Sequence, residues 1–295
     1  MWHDAGNDAF LRGSMLAANC QPAVAGRIIG GYCLGRQLGG RGAAAIHVAQ
    51  DRRGRHVALK MVHRARRPGD PSWRWFASEC AFVSAVRDQH VVRAYEHRVV
   101  GDVAYLAMEY LPGGTLREHL RSGIGPEHAL SLLRQAALGL AAAHRCGIVH
   151  RDVNPQNLLL REGHLVLADF GVAARAGDAS ARAGAGRLVG TACYTAPEQA
   201  QGEAPQPQAD VYSLGVVFHE MLCGQPPFTG RTATELLAQH LVAPVSRLPR
   251  SLGAYQCLVD QLLAKQPQHR PADADGVLQE IQRLAPALWH GPGRD

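Results

Sequence analysis

The sequence predicts an α+β chain folded as two lobes with a ligand cleft between them. Three observations carry this. From about residue 28 to 109, short apolar runs alternate with turns, and one helical pattern interrupts them. The stretch LPGGT at 111–115 breaks that pattern, and beyond it apolar residues recur at helical spacing. Strands followed by helices point to α+β or two lobes, and the junction between lobes is where a ligand binds.

The elements follow in order. IIGGYCLGRQL, AIHVAQ and HVALKMV have strand character, and DRRGR between the last two reads as a hairpin turn with Gly54 at its tip. Asp70-Pro71 reads as a helix start, with an aspartate N-cap and proline at the first helical position. That helix should run to about Arg87, with Trp75, Phe82 and Val86 on its apolar face and Glu79 beside them. VVRAYEHRVV and VAYLAMEYL return to strands. ALSLLRQAALGLAAAH is a helix ending near Gly147, and DVYSLGVVFHEMLCG is apolar nearly all round, as a buried central helix should be. TATELLAQHL opens with a capping-box spacing from Thr232 to Glu235, and two more helical stretches fill 252–284. Residues 1–25 and 286–295 read as tails, and the Ala-, Gly- and Arg-rich stretch 172–187 as a loop.

Composition excludes several classes. Apolar residues make up 46% and charged residues 19%, as in a globular protein. The formal charge is +6, with 29 arginines and only two lysines, Lys60 and Lys265. Residues 26–107 hold 14 basic and 6 acidic side chains. Such a patch suits an acidic partner, but no aromatic-and-basic motif accompanies it, so a solvated surface and no nucleic-acid partner are expected. Seven scattered cysteines without CxxC spacing suggest reduced thiols. No run has the length of a signal peptide or a membrane span, so the expected location is the cytoplasm.

Two charges stand out. Lys60 sits in VALK on a buried strand, and Glu79 lies on an apolar helix stripe. Either they pair, since an unpaired buried charge is costly, or both reach out to solvent.

The order VALK, Glu79, HRDVNPQN, DFG and APE, with VGTACYTAPEQ, DVYSLGVVFHEMLCGQPPF and QPQHRP, resembles bacterial serine/threonine protein kinases of the Hanks type. The resemblance runs from about residue 28 to 284. It implies a bilobal protein-kinase-like fold over 26–285, with an N-lobe to about 108 and a C-lobe from about 112. It implies an ATP-dependent enzyme using Mg²⁺ or Mn²⁺ on a protein serine or threonine. In that scheme Lys60 binds the α- and β-phosphates and Glu79 holds Lys60. Asp169 and Asn157 hold metal, and Asp152 accepts the substrate's proton from near its ordinary pKa. Met108 fits the gatekeeper position. Backbone groups from Glu109 to Leu111 would meet the adenine edge, with Leu38, Ile46, Ala58 and Leu159 around the ring. Thr191 would support Asp152. Glu198 and Arg270 would anchor the activation segment, Arg151 would meet a phosphate on it, and Asp210 would cap the central helix or brace the catalytic loop.

Three departures stand against the pattern. The glycine-rich loop LGGRGAAAIHVA, counted back from Ile46, puts Gly39, Arg41 and Ala44 at its three glycine positions. A shift by one would use Gly40, Gly42 and Ala45 but move His47 onto the ring. Asn154 stands where these kinases carry a lysine, and supplies a donor without charge. Between DFG and Thr191 the only hydroxyl is Ser180, the leading candidate for activating phosphorylation. These departures motivate a second possibility, a nucleotide-binding scaffold without catalysis.

Overall fold

The computed structural model describes residues 26–41, 44–63, 72–181 and 192–286. β1 (Ile28–Ile29) and β2 (Tyr32–Arg41) split what reads as one apolar run, because Gly30 and Gly31 adopt φ of 59° and 93° and turn the chain. β3 (Ala44–Gln50) and β4 (His56–His63) form the expected hairpin, with Asp51 accepting from the N–H groups of Arg53 and Arg55. After α1 (Ser72–Ala85) come β5 (Ala94–Val100) and β6 (Val103–Glu109). The six strands make one antiparallel sheet in the order β1-β2-β3-β4-β6-β5.

The two-residue period of the strands gives the sheet two apolar faces. Val57, Leu59, Met61, Tyr105 and Ala107 pack with Ile29 and Tyr32 on the outer face. Val62, Leu106 and Met108 turn inward to α1 and join the main core.

The buried stripe of α1 is Phe76, Cys80 and Val83, continued by Val86, whereas Trp75 is 43% exposed. Of the expected Trp75–Phe82–Val86 stripe, Val86 is buried and Phe82 half-buried against the core, while Trp75 gives way to Phe76 one residue on. The buried positions recur at i, i+4 and i+7, and one residue is about 100° around a helix. Glu79 lies on the buried side at 4% exposure. The helix ends at Ala85 and not at Arg87, and the Asp70-Pro71 start lies outside the described residues.

The second lobe is built on α2 (Leu116–His119), α3 (Pro126–Arg145), α4 (Pro197–Ala200), α5 (Pro207–Cys223), α6 (Ala233–Val242), α7 (Gln256–Leu262) and α8 (Ala274–Leu284). Every residue of α5 from Ala209 to Met221 is buried, as an all-round apolar helix requires. Thr232 accepts from the Glu235 N–H at 3.1 Å at the head of α6. At its other end Lys265 donates to the carbonyls of Gln239 and His240 and lies 4.2 Å from the Phe228 ring. Burial, with Arg270 adding, pulls the Lys265 ammonium down to about 8.

Four short strands, which helical spacing alone does not predict, line the cleft in this lobe: β7 (Ile148–Val149), β8 (Leu158–Arg161), β9 (His164–Leu167) and β10 (Ala174–Arg175). β8 and β9 pair through a turn in which Glu162 and Gly163 both adopt positive φ, 49° and 84°. A two-residue hairpin closed by a type I′ turn demands that of both positions. α3 passes beneath this hairpin at Gly139. A β-carbon there would lie 2.6 Å from the His90 carbonyl oxygen and 3.3 Å from the Leu167 side chain. Gly139→Ala should therefore lower stability by roughly 1–3 kcal/mol, read as a lower urea midpoint at unchanged m-value. No helix among the described residues is long and apolar enough to cross a membrane.

Candidate active site

The sheet register brings the small-lobe residues together. Ile46 pairs with Lys60, Val48 with Ala58, and Ala58 with Met108, so Ile46, Ala58, Lys60 and Met108 share one face. His47 pairs with Leu59 on the other face, and its Nδ1 lies 3.2 Å from the Gly35 carbonyl. Gly39 and Gly40 sit in the β2–β3 hairpin opposite Ile46 and Ala45. Leu38 is 40% exposed. Gly42 lies outside the described residues.

Lys60 Nζ donates to Glu79 Oε1 at 2.5 Å and to Asp169 Oδ1 at 2.8 Å. The two charges singled out in the sequence thus pair, and a third from 109 residues away joins them. Burial opposes the Lys60 charge, but Asp169 and Glu79 outweigh it and raise its pKa. Burial pushes Glu79 up to about 7, with Lys60 opposing and Asp169 adding. Burial also works against Asp169, yet the Lys60 ammonium and the Gly171 N–H hold it down at about 2.

The side chains of the HRDVNPQN loop converge on Asp152. Its Oδ1 accepts from Asn154 Nδ2 at 2.9 Å, and its Oδ2 from Asn157 Nδ2 at 3.0 Å. Asn154 is buried and held on its other side, where Oδ1 accepts from the Gln156 N–H at 2.9 Å. Burial raises the Asp152 carboxyl above its ordinary range; His150 opposes this and Asp169 adds to it. The ordinary pKa expected for Asp152 is corrected in that direction, because the cleft removes water from it.

Asp210 supports the loop from below. It is fully buried and accepts from the His150 and Arg151 N–H groups, both at 2.7 Å, and lies 3.0 Å from His144 Nε2. Of the two roles open to it, it braces the loop; the N-cap of α5 is Gln206. Its two backbone bonds hold Arg151 at φ 68°, and Asp169 sits at φ 61°. Left-handed non-glycine residues of this kind cluster at functional sites. The Ala168 N–H donates to the Asn157 carbonyl at 2.9 Å, joining this loop to the one carrying Asp169.

The cleft edge is the end of β6. Leu111 is buried and Leu159 half-buried. The Glu109 N–H donates to the Arg93 carbonyl, and its carboxylate takes a two-pronged contact from Arg161 at 2.8 and 2.5 Å.

Farther out, Arg270 forks onto Glu198 at 2.7 and 3.0 Å, both side chains being buried. Arg117 binds Glu220 Oε1 at 2.5 Å, and the Tyr194 hydroxyl donates to Glu220 Oε2 at 2.6 Å. Ser180 is exposed and donates to Asp178 at 2.6 Å, so a phosphate there would meet a carboxylate. Thr191 lies outside the described residues. Sequence reasoning missed Arg117, Glu220, Tyr194 and Arg161. Only Tyr194 had a signal, its place two residues before Ala196-Pro197-Glu198.

The described residues hold no cluster of three or more His, Cys, Asp or Glu suited to a metal. The donor set instead suits a cation brought with phosphates: Asp169 and the Asn157 amide oxygen are hard oxygen donors. Lys60, Glu79, Asp152 and Asp169, all ionised, would also leave a net negative cleft. Magnesium uses one or two carboxylates plus substrate oxygens in this way.

The protein kinase domain family matches residues 32–282. The chain is 36% identical over 266 residues to serine/threonine-protein kinase PknL of Mycobacterium tuberculosis, covering 87% of this chain and 66% of that one. It is 36% identical over 263 residues to serine/threonine-protein kinases drp72 of Corynebacterium efficiens, covering 86% and 50%. It is 34% identical over 266 residues to serine/threonine-protein kinase PknB of Mycobacterium leprae, covering 86% and 43%. The chain thus spans from two fifths to two thirds of the length of these relatives.

Proposed function

This chain belongs to the protein kinase domain family, alongside bacterial serine/threonine kinases, and from that premise we propose that it transfers the γ-phosphate of ATP to serine or threonine hydroxyls of a protein. The observation that carries the proposal is the cluster in which Lys60 joins Glu79 and Asp169 while Asp152 stands between Asn154 and Asn157. The catalytic unit is residues 26–285.

Phosphoryl transfer needs positioned groups and neutralised charge more than covalent help. Lys60 binds the α- and β-phosphates from the small lobe, with Glu79 fixing its direction. Asp169 and the Asn157 amide oxygen hold Mg²⁺, which when bound neutralises phosphate charge. Asp152, oriented from both sides by carboxamides, accepts the substrate hydroxyl's proton. Its raised pKa makes it a stronger base than a solvated aspartate. Ile46 and Ala58 above and Leu159 below enclose adenine, whose edge meets the backbone from Glu109 to Leu111; Met108 limits the depth of the slot. Glu198 and Arg270 hold the end of the activation segment.

Asn154 keeps half of what a lysine would do. Its amide orients Asp152 but brings no charge to the transferring phosphate. Asn154→Lys should raise kcat on the order of tenfold or more, one missing electrostatic contact being worth about two decades. An unchanged or lower kcat in a variant with wild-type melting temperature would show that this charge does not limit the rate.

The proposal is tested with γ-labelled ATP, Mg²⁺ or Mn²⁺ and a generic protein substrate. Label on serine or threonine supports it. No label under either metal, with ATP still raising the melting temperature, would overturn it in favour of a nucleotide-binding scaffold.

A further inference from the structure

The contact between Arg161 and Glu109 has no counterpart among the motifs read from the sequence. β8 shows alternating burial, with Leu158 and Leu160 turned inward and Leu159 and Arg161 half-buried. Residues two apart on a strand share a face, so Leu159 and Arg161 belong to the same side of the hairpin. From there the Arg161 guanidinium reaches two other segments at once. Nε and Nη2 fork onto the Glu109 carboxylate at the end of β6. Nη1 donates to the Gln89 carbonyl at 2.6 Å, in the loop between α1 and β5. The Glu109 N–H donates to the Arg93 carbonyl at 2.8 Å in that same loop.

Glu109 is thus held by its backbone from one side and by its side chain from the other. A guanidinium fork fixes direction as well as distance, because both N–H groups must align with both oxygens. Leu159, two residues from Arg161 on the same strand, is the floor of the proposed adenine slot, and Glu109 begins its edge. The fork therefore ties floor to edge.

We propose that Arg161 is a positioning residue for the nucleotide: by holding Glu109 and the Gln89 carbonyl, it sets the hinge peptide against Leu159 and so favours adenine over guanine. The proposal rests on the nucleotide site proposed above. The chemistry follows from the purines. Adenine carries an amino donor at position 6 and guanine an oxygen acceptor. A hinge carbonyl held in place rewards the first and repels the second. A hinge free to tilt discriminates less, since rejection depends on leaving a fixed polar group unpaired.

The test is calorimetric binding of Mg-ATP and Mg-GTP to wild type, Arg161→Ala, Arg161→Lys and Glu109→Gln, beside steady-state kinetics with ATP. Arg161→Ala should weaken ATP about fivefold and GTP much less, narrowing the ATP-to-GTP ratio; a half-buried two-pronged pair supports an effect of this order. KM for ATP should rise with it while kcat stays within about twofold, since no group at the phosphate is touched. Arg161→Lys should recover only part of the ratio, because an ammonium cannot fork. Glu109→Gln keeps the shape and loses the charge, and should move the ratio the same way, which guards against misfolding of any one variant. An ATP-to-GTP ratio unchanged from wild type in folded Arg161→Ala and Glu109→Gln overturns the proposal. Failure of wild type to bind either nucleotide would overturn the nucleotide site itself.

Discussion

Asp152→Asn should abolish nearly all phosphate transfer while leaving nucleotide binding intact. Removing a positioned general base costs about two to four decades in rate. Here the loss should fall toward the larger figure. Each Asp152 oxygen faces an amide donor, Asn154 on one side and Asn157 on the other. Asparagine at 152 must turn its own NH₂ toward one of them, so it removes the base and also disturbs the amide that holds it. Lys60, Glu79 and Asp169 make no hydrogen bond to Asp152. The ATP-induced rise in melting temperature should therefore persist, and the lost repulsion between Asp152 and Asp169 should if anything strengthen binding. Label incorporation with and without the substitution, beside ATP-dependent melting, checks both halves. A variant retaining more than about a tenth of wild-type transfer would remove Asp152 from the role of base.

Arg270→Ala should produce the largest loss of stability. The guanidinium is fully buried and serves Glu198 with two bonds. It also donates to the carbonyls of Ala264, Lys265 and Gln208 and lies 4.7 Å from the Tyr212 ring. Removing one partner of a buried pair leaves an uncompensated charge and costs about 3–5 kcal/mol. For a domain of this size that is roughly 6–20 °C in melting temperature. The double substitution Arg270→Met with Glu198→Leu should recover part of the loss, because the stranded carboxylate disappears too. A single-variant loss under about 1 kcal/mol would mean that water or a neighbour replaces the guanidinium.

The parts of the fold legible in the sequence are those whose signal is local and long. The α5 segment reads as buried because it is apolar on every side, and the β3–β4 hairpin because Gly54 marks its turn. Lys60 and Glu79 stand out because each is a charge in an apolar setting, and the fold decides between pairing and solvent in favour of the pair. The parts that were not legible fail for definite reasons. Strands β7 to β10 have two to four residues each, too few for a two-residue period to register. On α1 the expected stripe holds at Glu79 and Val86 but fails at Trp75, which is apolar yet faces water. Arg117 and Glu220 meet across 103 residues, and Arg161 and Glu109 across 52. In each case an ordinary surface arginine at the sequence level acquires a partner only through the tertiary fold.

The two lysines of this chain lead to a different chemistry. Lys60 is held by two carboxylates and its pKa is raised, so it is a poor nucleophile. Lys265 is held by two carbonyls and its pKa is drawn down to about 8 by burial and by Arg270, so it gives up its proton far more readily than Lys60. Every other basic side chain is an arginine or a histidine. Reagents and enzymes that acylate lysine therefore find no freely exposed lysine amine on this basic protein. Of the two lysine ammoniums, the one that shields α6 is chemically softer than the one that faces the cleft. The positive surface is built almost wholly of guanidinium groups, which carry charge at every physiological pH and offer nothing to acylate.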